Sequence, residues 1–447
     1  MNHSDILDGF FIKFNIMLKI GDKKLINAWA FYDWANSVYS LVISTAVFPL
    51  YYSAVTEGKV VSFLWMDWNH PDTLYSYALS FSFLIVAFMS PILSGIADYT
   101  GNKRKFMKFF CWLGGLSVCS LYFFDGIDTV WIGIVFTILA SIGFWSSLVF
   151  YNAYLPEVAH PEQQDRASAK GFIFGYIGSV ILLVINLILI QMPDLFGIST
   201  GMASRISFVL VGVWWIGFAQ ITFKRLPNNV YNKKPKEDYI WRGFKELKMV
   251  FKEVLNYPTL KRFLIAFFLL SVGVQTIILL ATIFGSTELG LETIDLIITV
   301  LLIQLVAILG AFLFSRLSEK KGNFFALKVT IVIWMIVCFC AFLLHKNLPN
   351  VALYFYSLGG VLGLVLGAIQ SLTRSTYSKL LPETEDHATY FSFYDVTEKI
   401  AIVLGTFVYG FLYAITDSMQ LSVLCLALFF LASFIILSTL KRTKYVQ

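Results

Sequence analysis

Tyr151-Asn-Ala-Tyr-Leu-Pro-Glu157 and Tyr377-Ser-Lys-Leu-Leu-Pro-Glu383 are two versions of one phrase, each at the end of a long apolar run, 226 residues apart in a chain of 447. A second pair keeps nearly the same offset: Gly101-Asn102 returns as Gly322-Asn323, 221 residues on. Offsets near half the chain length mark an internal duplication. Outward from these anchors, twelve apolar segments can be drawn: Ile26 to Tyr52, Leu74 to Ala97, Phe106 to Phe124, Val130 to Leu155, Ala169 to Gln191, Ile206 to Phe223, Phe263 to Gly285, Ile294 to Ser315, Phe324 to Leu344, Val351 to Thr373, Tyr390 to Tyr413 and Leu421 to Leu440. Each is long enough to cross a hydrocarbon core of ~30 Å, which takes about 20 helical residues. The first phrase closes segment four and the second follows segment ten. The expected fold is therefore an all-α membrane protein of twelve transmembrane helices in two six-helix halves. Its parts are an N-terminal segment (1–25), a first half (26–223), a linker (224–262), a second half (263–440) and a tail (441–447).

Composition agrees. With 58% apolar and only 14% charged residues, the chain falls well below the charged fraction of about 25% typical of soluble domains. Of the 34 Lys and Arg residues, only Lys59, Arg205 and Lys346 fall in the loops of one side, and only Lys399 lies deep within a span; the rest gather at the alternate ends. The positive-inside rule then puts both termini in the cytoplasm. The net charge of +6 is a topology signal and calls for no nucleic-acid partner. A bacterial plasma membrane, a monomer and the lipid bilayer as surroundings are expected. Trp241 to Leu255 in the linker, with Phe244, Leu247, Val250, Phe251, Val254 and Leu255 to one side, suggests an amphipathic helix on the inner membrane face. Phe10 to Ile20 is either a short surface helix or sequence upstream of a start at Met17. Cys111, Cys119, Cys338, Cys340 and Cys425 sit in apolar runs and read as small buried hydrophobes. His3, His70, His160, His345 and His387 are scattered without ligand spacing, so neither a metal site nor a cofactor is expected. No His-Glu-x-x-His motif and no intramembrane Ser or Cys with a His partner points to an enzyme.

The eleventh segment, YFSFYDVTEKIAIVLGTFVYGFLY, carries Asp395, Glu398 and Lys399. At 1.5 Å per residue Lys399 lies roughly 14 Å in, near the bilayer centre. An Asp or Lys there costs about 2.5 to 3.5 kcal/mol on insertion scales, so such residues face the protein interior and mark transport or proton pathways. Spacings of three and four put the three on one face. One reading is an Asp395–Lys399 pair that only ties helices together. The other gives Lys399 a positive contact to an anionic or zwitterionic solute, with Asp395 or Glu398 taking a proton.

The loop after segment two, Ser94-Gly-Ile-Ala-Asp98-Tyr-Thr-Gly101-Asn-Lys103-Arg104-Lys105, and its counterpart Ser315-Arg-Leu-Ser-Glu319-Lys-Lys-Gly322-Asn323 have gate chemistry. Gly101 and Gly322 permit tight turns, and Asp98 can cap or pair across the seam between halves. These loops resemble the gating loops of the major facilitator superfamily, with Tyr99 where that family usually has Arg. Two parallel six-span repeats with a site at their interface suit the same superfamily.

A closer resemblance lies in Asn27-Ala-Trp-Ala-Phe-Tyr32-Asp33-Trp34-Ala35-Asn36-Ser37, continuing to Phe48-Pro49-Leu50-Tyr51-Tyr52. Ser90-Pro91-Ile-Leu-Ser-Gly-Ile-Ala-Asp98-Tyr99, Arg166-Ala-Ser-Ala-Lys-Gly171-Phe-Ile-Phe-Gly175-Tyr176-Ile-Gly178 and Gln370-Ser-Leu-Thr-Arg374-Ser375 carry it into both halves. It is similar to the vacuole effluxer-like family, relatives of the autophagy-related vacuolar amino acid permease of fungi. The resemblance implies a secondary transporter, with amino acid efflux as one activity among members. Where that family tends to carry Asn-Asp-Gly in the seventh span, this chain has Ser271-Val272-Gly273, so an acidic group is missing at Val272.

Asp33, roughly 10 Å into its span, fits either a helix-start position or a cavity wall. Asn36, Ser40, Ser44 and Thr45 continue a polar seam inward, while Trp29 and Trp34 suit an aromatic belt. Ser146, Ser147, Tyr151 and Asn152 in span four, Gln275 in span seven, and Gln370 and Thr373 in span ten add polar groups; Arg374 reads as a positive-inside anchor. The function expected is alternating-access transport of a small polar solute, amino acids included, coupled to protons. The alternative is a receptor or scaffold that keeps the fold without transporting.

Overall fold

The computed structural model describes residues 19–228 and 239–440. The expectations for Phe10–Ile20, Met17 and the tail 441–447 lie wholly or mostly outside them. Among the described residues, twelve helices are long and apolar enough to cross a membrane: Lys23–Thr56, Pro71–Thr100, Lys103–Phe123, Ile127–Val158, Pro161–Gln191, Thr200–Phe223, Pro258–Glu288, Thr293–Lys321, Asn323–Leu343, Val351–Leu380, His387–Thr416 and Met419–Ser438. They are called spans one to twelve in this order. A helix is what an apolar chain must form in lipid, where every backbone N–H and C=O has to find a partner inside its own segment. Several spans run a turn or two past their hydropathy limits. Asp98-Tyr-Thr100, Ser318 to Lys321 and Arg374 to Leu380 are polar yet helical. Hydropathy reports lipid contact, and Asp98, Thr100, Ser318 and Arg374 to Ser378 are buried against protein instead, while Lys320 and Lys321 are exposed.

The duplication is visible in the packing. Span one lies on five and six, three on four and six, and two on four; span seven lies on eleven and twelve, nine on ten and twelve, and eight on ten. Adding six to each member of the first set gives the second. The contacts between halves obey the same exchange, with two on eleven matched by eight on five, and four on eleven matched by ten on five. Spans eight and ten touch backbone to backbone, because a Cβ at Gly310 would strike the Leu364 carbonyl and one at Gly367 the Ala307 carbonyl. Because the number of spans is even, the first begins and the last ends on the same side, where most of the basic residues gather. We call this the basic end.

Four local features differ from expectation. A two-stranded antiparallel hairpin, Val61–Phe63 with Met66–Trp68, joins spans one and two. Span one widens to a π-helix over Tyr39–Val47; Pro49 has no N–H for the Thr45 carbonyl, so the ladder opens just upstream of it. The linker helix Tyr239–Asn256 packs against span two, burying Val250 and Val254, so its apolar side serves the bundle as well as the membrane face. Of the cysteines only Cys111 and Cys338 are buried; Cys119 and Cys425 are half-buried and Cys340 is exposed on its span. Apolar runs supply lipid-facing as well as core positions, and sequence alone does not separate the two.

Candidate functional site

Helical periodicity builds one wall. Asp33, Asn36, Ser37, Ser40 and Ser44 recur at three- and four-residue steps along span one and so share a face, and all five line a cavity of about 320 Å³ between the halves. Opposite them stand Ser271 and Gln275 of span seven, Gln304 of span eight, Gln370, Thr373 and Arg374 of span ten, and Tyr394 and Glu398 of span eleven. Asn152, Tyr176, Phe83, Trp145 and Phe172 close the sides. The lining extends to Thr282, Leu296 and Phe355, near the ends of spans seven, eight and ten away from the basic end, so the cavity reaches toward that far side.

Its floor is a charged cluster. Arg374 is almost wholly buried and donates from Nη1 to Asp33 Oδ2 (3.3 Å) and Asn152 Oδ1 (3.2 Å), from Nε to Ser168 Oγ (2.9 Å), and from Nη2 to the Ser168 carbonyl (2.8 Å). Tyr151 donates its hydroxyl to the same Asp33 oxygen at 2.7 Å. Rings of Trp29, Tyr151 and Phe172 flank the guanidinium with centroids 4.2–5.3 Å away. Gly171 makes room, since a Cβ there would collide with Asp33, Tyr151 and Arg374. Gly175 and Gly178 likewise seat span one, against Ser37 and Trp34.

This corrects two expectations and decides between the two readings of Asp33. Arg374 is no surface anchor: it bridges the halves, and the basic turn around it is buried against protein. Asp33, open to a helix start or a cavity wall, stands at the cavity floor. Trp29 is fully buried, stacked on Tyr151 and bonded through Nε1 to the Tyr151 carbonyl, and Trp34 stacks on Trp214, so neither forms a membrane belt.

The eleventh-span trio divides. Glu398 lines the cavity and accepts from Gln275 Nε2 at 2.6 Å. Asp395 and Lys399 lie outside its lining, paired at 2.7 Å, with Lys399 Nζ also 3.5 Å from Glu398. The Lys399 ammonium sits 3.6 Å from the ring centroid of Trp145, which does line the cavity. Tyr151 stands behind the floor, whereas Gln370 faces the cavity and accepts from Tyr176 across the seam at 2.6 Å. Ser146 and Ser147 are buried away from the lining. Val272 is packed where its carbonyl meets Gly405, and Gln275, one turn on, is the residue that faces inward.

Below the floor the basic end is tied shut. Asp98 accepts from the amides of Ala388 (3.2 Å) and Thr389 (2.7 Å) and from the Thr389 hydroxyl (2.9 Å), so the end of span two caps the start of span eleven. Lys103 bridges Asp98 (3.5 Å) and Glu157, and Glu157 also meets His387 Nδ1 at 3.0 Å, which gives that histidine a partner its sequence position did not reveal. The exchange-related corner repeats the scheme with other residues. Asp165 at the start of span five accepts from Ser318, Asn323 and Lys379 at 2.7–2.8 Å, and Arg166 pairs with Glu319 at 2.5 Å. Gly101 (φ +67°) and Gly322 (φ +93°) turn the chain beside these ties. Arg104 instead bonds the Leu226 carbonyl at 2.8 Å, at the start of the linker just past span six. Among the described residues no group of three His, Cys, Asp or Glu side chains is placed to hold a metal.

A family profile described as "Vacuole effluxer Atg22 like" matches residues 21–446. The chain belongs to this family. Among relatives of this Atg22-like protein is an "Uncharacterized MFS-type transporter YxiO" of Bacillus subtilis, 34% identical over 92% of this chain and 94% of that one. "Autophagy-related protein 22-1" of Penicillium rubens is 25% identical over 83% and 75%. In structure, the Atg22-like chain is similar to the major facilitator transporter FucP in the outward conformation (TM-score 0.64, 15% identity, 94% of this chain and 98% of that one). It is also similar to the proton:xylose symporter XylE (TM-score 0.68, 13% identity, 92% and 94%). The Atg22-like chain is thus an integral, multi-pass transporter of the major facilitator type.

Proposed function

We propose that the chain is a secondary active transporter that moves a small zwitterionic solute, with amino acids the leading class, by alternating access, and that its basic end faces the cytoplasm. One observation carries this reading: the cavity on the seam has a guanidinium at its floor and a carboxylate, Glu398, on its wall, while the ties at the basic end close it there. At about 320 Å³ it is at the small end of ligand sites, fit for one small solute. Arg374 offers a planar fork for a carboxylate. Glu398 offers an acceptor for an ammonium group. Asn36 adds a buried amide whose Nδ2 has no protein partner.

The same residues suggest a proton-coupled cycle. Asp33 occupies the Arg374 fork. A proton on Asp33 weakens that bond and frees the fork for the solute's carboxylate. Because Arg374 also bonds Ser168 across the seam, changing its partners loosens the contact between spans five and ten, and the halves can rock to open the basic end. Lys399 holds Asp395 and Glu398 in place from behind Trp145 instead of meeting the solute in this state.

The test is a thermal-shift screen of amino acids, peptides and sugars on purified protein. Stabilisation by an amino acid, absent from Arg374→Ala, is the expected result. Stabilisation by sugars alone, or by an amino acid equally in both proteins, overturns the reading.

A further inference from the structure

Trp65 is fully exposed at the tip of the hairpin between spans one and two, and Val60, Leu64 and Met66 beside it are also exposed. The register pairs Val61 with Trp68, Ser62 with Asp67 and Phe63 with Met66, which leaves Leu64 and Trp65 as a two-residue turn. Both have positive φ, +50° and +60°. That backbone favours Asn-Gly, and side chains with a Cβ are strained in it. So the chain spends strain to present two large apolar side chains, and nothing in the described structure covers them.

The placement of the hairpin says what does. Trp68 packs edge-on against Tyr77 of span two, ring centroids 5.8 Å apart. Tyr77 begins a row, Tyr77, Phe81, Leu84 and Phe88, all exposed and spaced by four, three and four residues, hence on one helical face. An exposed apolar row on a membrane-crossing helix is its lipid face. Phe83, which lines the central cavity, is six residues from Tyr77, roughly 120° around the helix. The hairpin therefore hangs on the lipid side of span two and not over the cavity mouth. Its base is polar, with Ser62 bonded to Asp67 at 2.6 Å and Glu57 and Lys59 nearby. An apolar tip with a polar base, continuous with a lipid-facing row, matches the headgroup boundary, where Trp is favoured.

We propose that the Leu64–Trp65 tip inserts into the interfacial layer of the leaflet opposite the basic end, and anchors the first half of the transporter to lipid. The test uses full-length protein in phosphatidylcholine nanodiscs, with native cysteines replaced and a nitroxide at Trp65→Cys or, separately, at Glu57→Cys. Power saturation with oxygen and with a water-soluble nickel chelate reads depth. The proposal expects an oxygen-to-nickel accessibility ratio several-fold higher at 65 than at 57. A label at 65 as open to nickel as at 57 overturns it, and so does one shielded from both reagents, which means protein covers the tip. As a label-free check, lipids brominated near the headgroup should quench native protein more than Trp65→Phe. Equal quenching also counts against the anchor.

Discussion

Arg374 and Asp33, 341 positions apart, meet on the seam between the two halves, the guanidinium 3.3 Å from the carboxylate, with almost no exposure for either. The pair joins the fold's duplication to its chemistry, because each half supplies one of its charges. Removing one member of a buried pair leaves the other uncompensated, at a cost of about 3 to 5 kcal/mol. Arg374→Ala should therefore lower the melting temperature of the purified protein as well as abolish transport. Arg374→Lys should rescue little, since one ammonium cannot replace a fork that reaches Asp33, Asn152 and Ser168 together. Near-normal uptake by the Lys variant would mean a positive charge alone suffices there.

Gly171 offers a subtler test. A methyl group at this position meets the Tyr151 hydroxyl at 2.7 Å and Arg374 Nη2 at 2.9 Å, so Gly171→Ala should push the floor apart, at about 1 to 3 kcal/mol for overpacking. Gly217 in span six has no neighbour within 4 Å of such a methyl. Gly217→Ala should be neutral or slightly stabilising. Melting curves of the two variants side by side separate site geometry from general intolerance of alanine.

Asp98 holds the basic end with three hydrogen bonds to the start of span eleven. Charged acceptors contribute about 1.5 to 3 kcal/mol per bond, so Asp98→Ala should shift the equilibrium toward states open at that end by tenfold or more. Maleimide labelling of a cysteine placed at Ser371, buried at the seam and bonded through its carbonyl to Ser168, reads this out. Faster labelling in the Asp98→Ala background is expected, and an unchanged rate would show that the cap does not restrain opening.

The eleventh span should split by phenotype. Lys399→Met strands Asp395 and should cost stability, with the double variant Asp395→Asn, Lys399→Met recovering most of it. Glu398→Gln keeps the shape of a cavity-wall residue while removing the charge offered to the solute's ammonium, so stability should hold and uptake should weaken, while the pH dependence, carried by Asp33, stays. Melting and uptake measured on the same preparations check both halves of this statement.

What could be read from the sequence followed from local rules. Twelve spans and their duplication were legible because hydropathy, Gly-Asn turns and the Leu-Pro-Glu phrases are encoded within a few residues of one another. That Lys399 is buried in protein followed from the cost of a charge inside an apolar span, and Asp98 as a cap followed from its position before a glycine turn. Arg374 was not legible. Its position after an apolar run looks like any basic residue at a membrane edge, and only its partners on spans one, four and five, more than 200 residues away in sequence, show that it is buried. The same holds for Tyr176 with Gln370 and for Glu157 with His387. The hairpin has no local signature, because Leu64-Trp65 lacks the Asn or Gly that marks such turns, and a helical wheel leaves both readings of Lys399 open because it does not show that its ammonium lies over Trp145, outside the cavity lining.

The most direct measurement is uptake of labelled amino acids into proteoliposomes under an imposed proton gradient, for wild type, Arg374→Ala and Asp33→Asn. The account expects wild type to accumulate at least one amino acid, Arg374→Ala to accumulate none, and Asp33→Asn, which cannot gain or lose the proton, to lose the response to the gradient. Uptake that persists unchanged in both variants would contradict it, because the solute would then be crossing without the cavity between the halves.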